Sequence, residues 1–285
     1  MTIIKHFIAG EFSDSGVYDY IDVLDPSTGK EIAKLSKAGE LEIDYVVNFS
    51  KKAQRSWEKV SIAKRSNILT NFYYLLQNNI EQVANIIVRE HGKTITDAKG
   101  EIHRGLEIVQ NVIAGANLLQ GNSCNSIGTN VDCNSVKRAL GVCVGITPFN
   151  FPVMIPLWMS PVAIMSGNSF ILKPSEQTPS ASNELAKLWS KAGLPDGVFN
   201  VVHGDVDTAE LLLDHKDVKA VSFVGSTSVA KKIYSRSASN GKRVQALGGA
   251  NNHLVVMPDA IKTSTVEGII AGAFGSSGQR CMAVS

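Results

Sequence analysis

The chain is poor in the features that mark several large protein classes. Only four cysteines occur in 285 residues, Cys124, Cys133, Cys143 and Cys281. Their spacing contains no CxxC, no HExxH partner set and no Cys/His cluster, so neither a zinc site nor a disulfide framework is expected, and no metal is implied. Free thiols fit a reducing compartment, and the cytoplasm is the default expectation. No sign of charge dominates. The formal net charge is +2, with 28 basic and 26 acidic residues interspersed, which argues against nucleic acid or a membrane surface as partner. The N-terminus has no basic segment leading into an apolar core and does not read as a signal peptide. The most apolar stretch, Val153 to Leu172, is interrupted by Pro156, Pro161, Ser166, Gly167 and Asn168. A membrane helix needs about 20 mainly apolar residues, so a buried helix leading into a strand is the better reading. The GxGxxG dinucleotide fingerprint is missing too.

What is present is a globular composition, 44% hydrophobic and 19% charged, ample for a sizeable core. Lys5 to Gly10 and Ile21 to Leu24 read as short strands, with a turn at Asp25-Pro-Ser-Thr-Gly29. Leu41, Tyr45, Val46, Phe49, Ala53 and Trp57 fall at helical spacing. Ser61 is placed to cap a second helix with apolar positions Ile68, Leu69, Phe72, Leu75 and Leu76. Lys99 to Leu119 reads as a third. Gly121 to Leu140 is polar, lacks a helical period, and is expected to form a projecting β-hairpin.

From Leu140 onward the texture alternates. Strands are expected at Val142–Ile146, Ser169–Leu172, Val198–Val202, Val218–Val224 and Arg243–Leu247, with helices between them, including 180–192 and 228–239. This alternation implies βαβ units on a parallel sheet, an α/β fold of Rossmann-like type with flanking helices. Such sheets bind ligands beyond the C-terminal ends of their strands. The loops found there are Thr147-Pro-Phe-Asn-Phe-Pro152, Lys173-Pro-Ser-Glu-Gln-Thr-Pro179, Gly225-Ser-Thr-Ser-Val229 and Leu247-Gly-Gly249, followed later by Gly278-Gln-Arg-Cys-Met282.

Read as chemistry, Cys281 follows a Gly/Ser-rich loop and sits beside Arg280. A neighbouring cation favours thiolate, and a thiolate adds to a carbonyl. A buried, inert cysteine is the competing reading of the same residue. Asn150 lies between two prolines that would hold it stiffly, and its amide can donate to an oxyanion; a plain turn asparagine is the alternative. Glu176 follows a strand where an acid can accept bonds from a ribose, although Ser175 and Glu176 also suit a helix start. Gly225, Ser226 and Thr227 open a helix whose N–H groups can receive pyrophosphate, or simply cap it. Cys124, Cys133 and Cys143 lack such a setting and are expected to be structural.

Those five loops, in that order, resemble the aldehyde dehydrogenase superfamily over nearly the whole chain. Gly278 to Ala283, Val244 to His253 and Pro148 to Pro156 are similar to the CoA-acylating methylmalonate-semialdehyde dehydrogenases in particular. The resemblance implies Cys281 as nucleophile, with Asn150 and the Cys281 backbone N–H as oxyanion hole. It implies NAD held by Thr147, Pro148, Phe149, Lys173, Glu176, Gly225, Ser226, Thr227, Leu247 and Gly248. The Glu176 carboxylate would repel a 2′-phosphate and so favours NAD over NADP. Hydrolysing members carry a glutamate just before Leu-Gly-Gly, and here its counterpart is Ala246 or, preferably, Leu247. Without that base a thiol is a better attacker than water on an acyl-cysteine, which implies coenzyme A as co-substrate. Arg104 and Arg280 are expected to grip a substrate carboxylate. The implied reaction is oxidation of methylmalonate or malonate semialdehyde to propionyl-CoA or acetyl-CoA with loss of carbon dioxide.

The resemblance further implies a dinucleotide-binding domain over 1–120 and 141–247, an oligomerisation hairpin at 121–140 and the beginning of a catalytic domain at 248–285. It implies a homodimer or homotetramer, a small semialdehyde as substrate, and neither nucleic acid nor membrane as partner. Because the chain ends at Ser285, soon after Cys281, it is expected to be the N-terminal part of such an enzyme and inactive alone. The alternatives are a dinucleotide-binding module without turnover, a hydrolytic aldehyde dehydrogenase, and a thiol esterase.

Overall fold

The structure is a computed structural model that describes residues 2–14 and 19–283. The chain opens with β1 (Ile3–Ile4), β2 (His6–Ile8), β3 (Glu11–Ser13), β4 (Tyr20–Leu24) and β5 (Glu31–Ser36). The expected turn between β4 and β5 is present. The Asp25 carbonyl accepts from Thr28 and Gly29 N–H. Four helices follow, α1 (Glu40–Trp57), α2 (Ile62–Asn78), α3 (Ile80–His91) and α4 (Ile95–Ala114). The hairpin is β6 (Ser123–Gly128) and β7 (Val131–Asn134), exposed along its length. The alternating half runs β8 (Val142–Ile146), α5 (Met154–Met165), β9 (Ser169–Lys173), α6 (Ser180–Lys191), β10 (Phe199–Val201), α7 (Val206–Asp214), β11 (Val218–Val224), α8 (Thr227–Ser239) and β12 (Arg243–Leu247), and α9 (Lys262–Phe274) comes last.

The main sheet has the order β12-β11-β8-β9-β10-β2-β3. Its five strands from the second half are parallel, and β2 and β3 extend it antiparallel. Successive side chains on a strand face opposite ways, and the apolar runs divide accordingly. Cys143, Phe170 and Leu172 pack with α2, α4, α5 and α6 through Leu69, Phe72, Leu106, Leu157 and Trp189. Val142, Val144, Ile146 and Ile171 pack on the other face with α1, α7 and α8 through Ile43, Val46, Leu212 and Ile233. Buried on both faces, β8 and the middle of β9 carry no charged or hydroxyl side chain and read as continuous apolar runs. Chain direction reverses about β8, with β9 and β10 added on one side and β11 and β12 on the other. The crevice at that reversal is where ligands bind on open α/β sheets.

Several helical expectations need correction. Leu41 and Tyr45 are exposed, and α1 buries Ile43, Val46, Val47, Ser50, Gln54 and Trp57 instead. The buried stripe includes Ser50 and Gln54, so an apolar count placed the face off-centre. Gln54 is held by donating to the Gly167 carbonyl, 3.1 Å, and Ser50 by accepting from the Asn200 amide, 2.9 Å. Ser61 does cap α2, accepting from Lys64 N–H. Helix α3 has no counterpart among the expected elements; only Asn79 separates it from α2, with no glycine or proline to mark the break. Helix α4 starts at Ile95 rather than Lys99 because Thr94 caps it by accepting from Asp97 N–H.

Of the cysteines expected to be structural, Cys143 is buried and burial pushes its thiol up to about 12. Cys124 and Cys133 are exposed; strand polarity at 121–140 leaves them no core to join. Among the described residues no helix is long and apolar enough to cross a membrane.

The layer under β9 and β10 is organised by the Phe72–Trp189 stack, with centroids 3.7 Å apart and both rings buried. Phe72→Ala is expected to lower the unfolding free energy by about 3–5 kcal/mol in urea titration, and a change below about 1 kcal/mol would show that the site collapses around the cavity.

Candidate active site

The loop after β8 carries Thr147, Pro148, Phe149 and Asn150 and is pinned from several sides. Thr147 N–H donates to the Lys173 carbonyl, 3.2 Å. The Thr178 hydroxyl donates to the Phe149 carbonyl, 3.2 Å, and the Phe149 ring stacks with His91. Beneath it lies a fully buried ion pair that the sequence reading did not include. Lys93 Nζ donates to Glu101 Oε2 and to the Asn150 carbonyl, both at 2.7 Å, and sits over the Phe151 ring at 4.5 Å. Glu101 Oε1 accepts from Val153 and Met154 N–H, 2.8 and 3.1 Å. Those donors open α5, which has no capping side chain of its own; a carboxylate from α4 does that work. Burial pushes the Glu101 carboxyl up and the Lys93 ammonium down, so each charge depends on the other.

Cys281 follows a tight loop. Ser276 and Ser277 both have positive φ, 54° and 55°, an uncommon conformation for residues with a Cβ that the surroundings must hold. Asp97 holds it. Its carboxylate accepts from Ser276 N–H, 3.1 Å, and pairs with the Arg280 guanidinium, 2.7 Å. Burial raises the Asp97 carboxyl, but these bonds and the Arg280 charge outweigh it and keep it below the usual range. A Cβ at Gly275 would lie 2.7 Å from the same guanidinium, which explains glycine there. Asn150 meets the loop from the other side, its amide donating to the Gln279 carbonyl, 3.4 Å. Its Oδ1 is buried without a partner. Asn252 donates to the Cys281 carbonyl, 3.1 Å, and Cys281 packs against the cluster of Phe151, Met154, Ile155 and Val224. Asn150 and the Cys281 loop, distant in sequence, are thus brought together.

Arg104 and Arg280 line one cavity of about 190 Å³ with Thr96, Phe151, Ser276 and Met282. Glu101 in its wall is neutralised by Lys93 and Asp97 by Arg280. Arg104 has no ion-pair partner among the described residues and leaves the cavity with an unmatched positive charge.

The remaining predicted residues lie along the C-terminal edge of the parallel strands. Lys173 ends β9, buried, with Nζ 3.2 Å from the half-exposed Glu176; burial pulls its ammonium down against the Glu176 charge. Ser226 is the N-cap of α8 but makes no side-chain cap bond, leaving the first-turn N–H groups without an acceptor from the N-cap side chain. Leu247 ends β12 beside Val224, with Gly248 so close to Thr227 that a Cβ would lie 3.1 Å from its backbone. Thr147 Oγ1 is buried without a partner. An orphaned hydroxyl, an uncapped helix start and an acid at the next strand end fit the phosphates and ribose of a dinucleotide. Among the described residues no cluster of potential metal ligands occurs.

Residues 12–285 match the family model for the aldehyde dehydrogenase family. The chain belongs to the aldehyde dehydrogenase family. It is 46% identical over 284 residues to malonate-semialdehyde dehydrogenase 1 of Geobacillus kaustophilus, covering 100% of this chain and 58% of that protein. It is 43% identical over 282 residues to the human mitochondrial acylating methylmalonate-semialdehyde/malonate-semialdehyde dehydrogenase, covering 99% of this chain and 53% of the relative. Among solved structures it superposes with TM-score 0.97 on methylmalonate-semialdehyde dehydrogenase from Oceanimonas doudoroffii, at 44% identity over 100% of this chain and 58% of that one. A Sinorhizobium meliloti protein of the same assignment, solved in complex with NAD, gives TM-score 0.97 at 42% identity with the same coverage. The chain therefore spans little more than half the length of these relatives.

In this aldehyde dehydrogenase fold, Lys93, Asp97 and Glu101 are the positioning residues that sequence reasoning missed. Their spacing places them at and just after a helix start, where charges usually face water, and nothing local signals their partners. Lys93→Met is expected to cost about 3–5 kcal/mol of stability by leaving Glu101 buried and unpaired. Urea denaturation of the two proteins measures it, and an unchanged midpoint would exclude this role for the pair.

Proposed function

We propose that the chain supplies the dinucleotide-binding part and the nucleophile of an NAD-dependent, CoA-acylating aldehyde dehydrogenase acting on methylmalonate or malonate semialdehyde. The observation that carries this reading is the meeting of Asn150 with the Cys281 loop beside a cavity lined by Arg104 and Arg280. Residues 1–120 and 141–247 form the dinucleotide-binding domain, 121–140 the hairpin of a homo-oligomer, and 248–285 the start of the catalytic domain. The NAD complex of the Sinorhizobium meliloti relative supports the choice of cofactor, and the acylating activity named for the human relative supports coenzyme A.

The residues act as follows. The Cys281 thiolate adds to the aldehyde carbon, and the Asn150 amide with the Cys281 N–H stabilises the oxyanion. Asn150 is suited to this because its backbone is fixed through Lys93 and its amide is spent on only one long bond. Arg104 takes the substrate carboxylate, joined by Arg280 if it exchanges Asp97 for the substrate. Lys173 and Glu176 hold the adenosine ribose, Ser226 and Thr227 the pyrophosphate, and Thr147, Pro148, Phe149, Gly225, Leu247 and Gly248 line the path between them. Bound NAD supplies the hydride acceptor. The acyl group then remains on Cys281 as a thioester, next to which a β-carboxylate can leave as carbon dioxide. Residues 246–249 hold no carboxylate to activate water, so release by the thiol of coenzyme A is favoured, giving propionyl-CoA or acetyl-CoA.

A second reading, a dinucleotide-binding module that does not turn over alone, is favoured by one feature. Helix α9 buries none of its residues, and Leu254 to Met257 are exposed beside it. One assay separates the readings. With malonate semialdehyde, NAD and coenzyme A, NADH formation that requires coenzyme A supports acylation. Turnover unaffected by omitting coenzyme A would overturn it in favour of hydrolysis. NAD binding without turnover supports the module, and ester cleavage without NAD would indicate a thiol esterase.

In an active form, Cys281→Ser is expected to abolish NADH formation, and Asn150→Ala to lower kcat by about 10²–10³-fold, as for loss of an oxyanion donor. Arg104→Leu is expected to raise the apparent KM for malonate semialdehyde while leaving the KM for an uncharged aldehyde unchanged. Equal effects on both substrates would exclude a carboxylate contact.

A further inference from the structure

The two exposed cysteines of the hairpin stand directly opposite each other. Cys124 and Cys133 are register partners across the antiparallel pair β6/β7, and both are free thiols in the structure. Directly opposed residues of an antiparallel pair project to the same face. Ser135 N–H donates to the Asn122 carbonyl, 2.8 Å, and Ser123 pairs with Asn134 at the intervening position. Hydrogen-bonded and non-hydrogen-bonded pairs alternate, so Cys124 and Cys133 occupy a hydrogen-bonded position, where Cα atoms lie about 5.5 Å apart. That separation falls within the range of about 4.4–6.8 Å that a disulfide spans; opposed Cβ atoms at such a position lie toward the far end of about 4.5–5.5 Å, so closure to the about 3.5–4.5 Å of a disulfide requires the two strands to draw together locally, which a ribbon with no buried residue allows.

The position is also the last regular one. Beyond it the register slips before Gly128 meets Val131, and Ser126 takes a positive φ of 54°. No residue of either strand is buried. Within this chain the described residues give the two-stranded ribbon no packed face, and such a ribbon is marginal in water, so a covalent tie at this position would add to its order. The other two cysteines do not compete. Cys143 is buried in the sheet and Cys281 packs against the cluster beside the catalytic loop.

We propose that Cys124 and Cys133 are a redox-active pair that closes into an intramolecular cross-strand disulfide in the presence of a low-molecular-weight disulfide. The exchange is balanced in two steps. The thiolate of one cysteine attacks a sulfur of the external disulfide; that S–S bond breaks, and one small thiol departs with the electron pair and takes up a proton. The second cysteine, as thiolate, attacks the protein sulfur of the mixed disulfide and expels the second small thiol. Two electrons and two protons have then passed from the cysteine pair to the external disulfide, which ends as two thiols. The pair constitutes a modification site separate from Cys281 and sensitive to the thiol–disulfide ratio.

The test uses the whole chain equilibrated in glutathione buffers of graded oxidised-to-reduced ratio, quenched with acid, alkylated after denaturation, digested and mapped by mass spectrometry. The expected result is one intramolecular bond between the peptides holding Cys124 and Cys133, appearing as a single transition with the buffer ratio. In Cys124→Ser the remaining Cys133 should appear only as a thiol or glutathione adduct, with an unchanged circular dichroism spectrum because the site is exposed. Wild-type cysteines that stay as two thiols or two separate adducts across the series would overturn the proposal. So would a bond found only between chains, as a dimer band on a non-reducing gel.

Discussion

The arrangement of the site depends on one buried ion pair. Lys93 and Glu101 have no exposed side-chain surface, and two charges withdrawn from water are tolerated only where every polar atom finds a partner. Here the partners belong to the two segments that frame the candidate site. Lys93 holds the Asn150 carbonyl, and Glu101 holds the first N–H groups of α5. The turn between α3 and α4 is thereby fixed to the end of β8 and to the start of the helix that crosses back to β9. The orientation of the Asn150 amide follows from that framework rather than from its two flanking prolines alone.

Two kinds of support meet at the Cys281 loop. On one side stands the closely packed edge of the parallel sheet, with Thr147, Lys173, Leu247 and the α8 start ordered by backbone ladders and by close glycine contacts. On the other side is a carboxylate, Asp97, which restrains a left-handed pair of serines and the neighbouring arginine through two bonds. The first support is shared among many interactions, and the second, for the serine pair and Arg280, comes from one residue. A change at the sheet edge is distributed over several neighbours, whereas a change at Asp97 is transmitted directly to the loop that carries the thiol.

Much of this was legible in the sequence, for identifiable reasons. Strand β8 falls where its apolar run places it, because a parallel strand buried on both faces leaves an unmistakable run, whereas β11 and the exposed edge strand β12 were legible from their alternation with helices. The hairpin was legible from its polarity and lack of helical period. The buried face of α1 was not, because Ser50 and Gln54 are buried through bonds to Asn200 and Gly167, far away in the chain. For the same reason Lys93, Asp97 and Glu101 read as ordinary helix charges. A charge near a helix start has a local explanation in the helix dipole, and that explanation conceals a distant partner. Arg104 was singled out by resemblance, while its place in a cavity wall without an ion-pair partner among the described residues became visible only in the structure.

Helix α9 has a further consequence for how the proposed nucleophile, Cys281, behaves over time. It is tied to the rest mainly through its last turn, where the Ala271 carbonyl accepts from Arg280, and no residue of its length is buried. Segments with few buried contacts open at the lowest free-energy cost in hydrogen exchange. Cys281 thus lies between a helix with no buried residue and the buried strand β8 with the largely buried helix α5. A surface that covered α9 would slow the local opening around Cys281, so the lifetime of the geometry at the thiol would depend on packing against a helix that carries none of the proposed site residues.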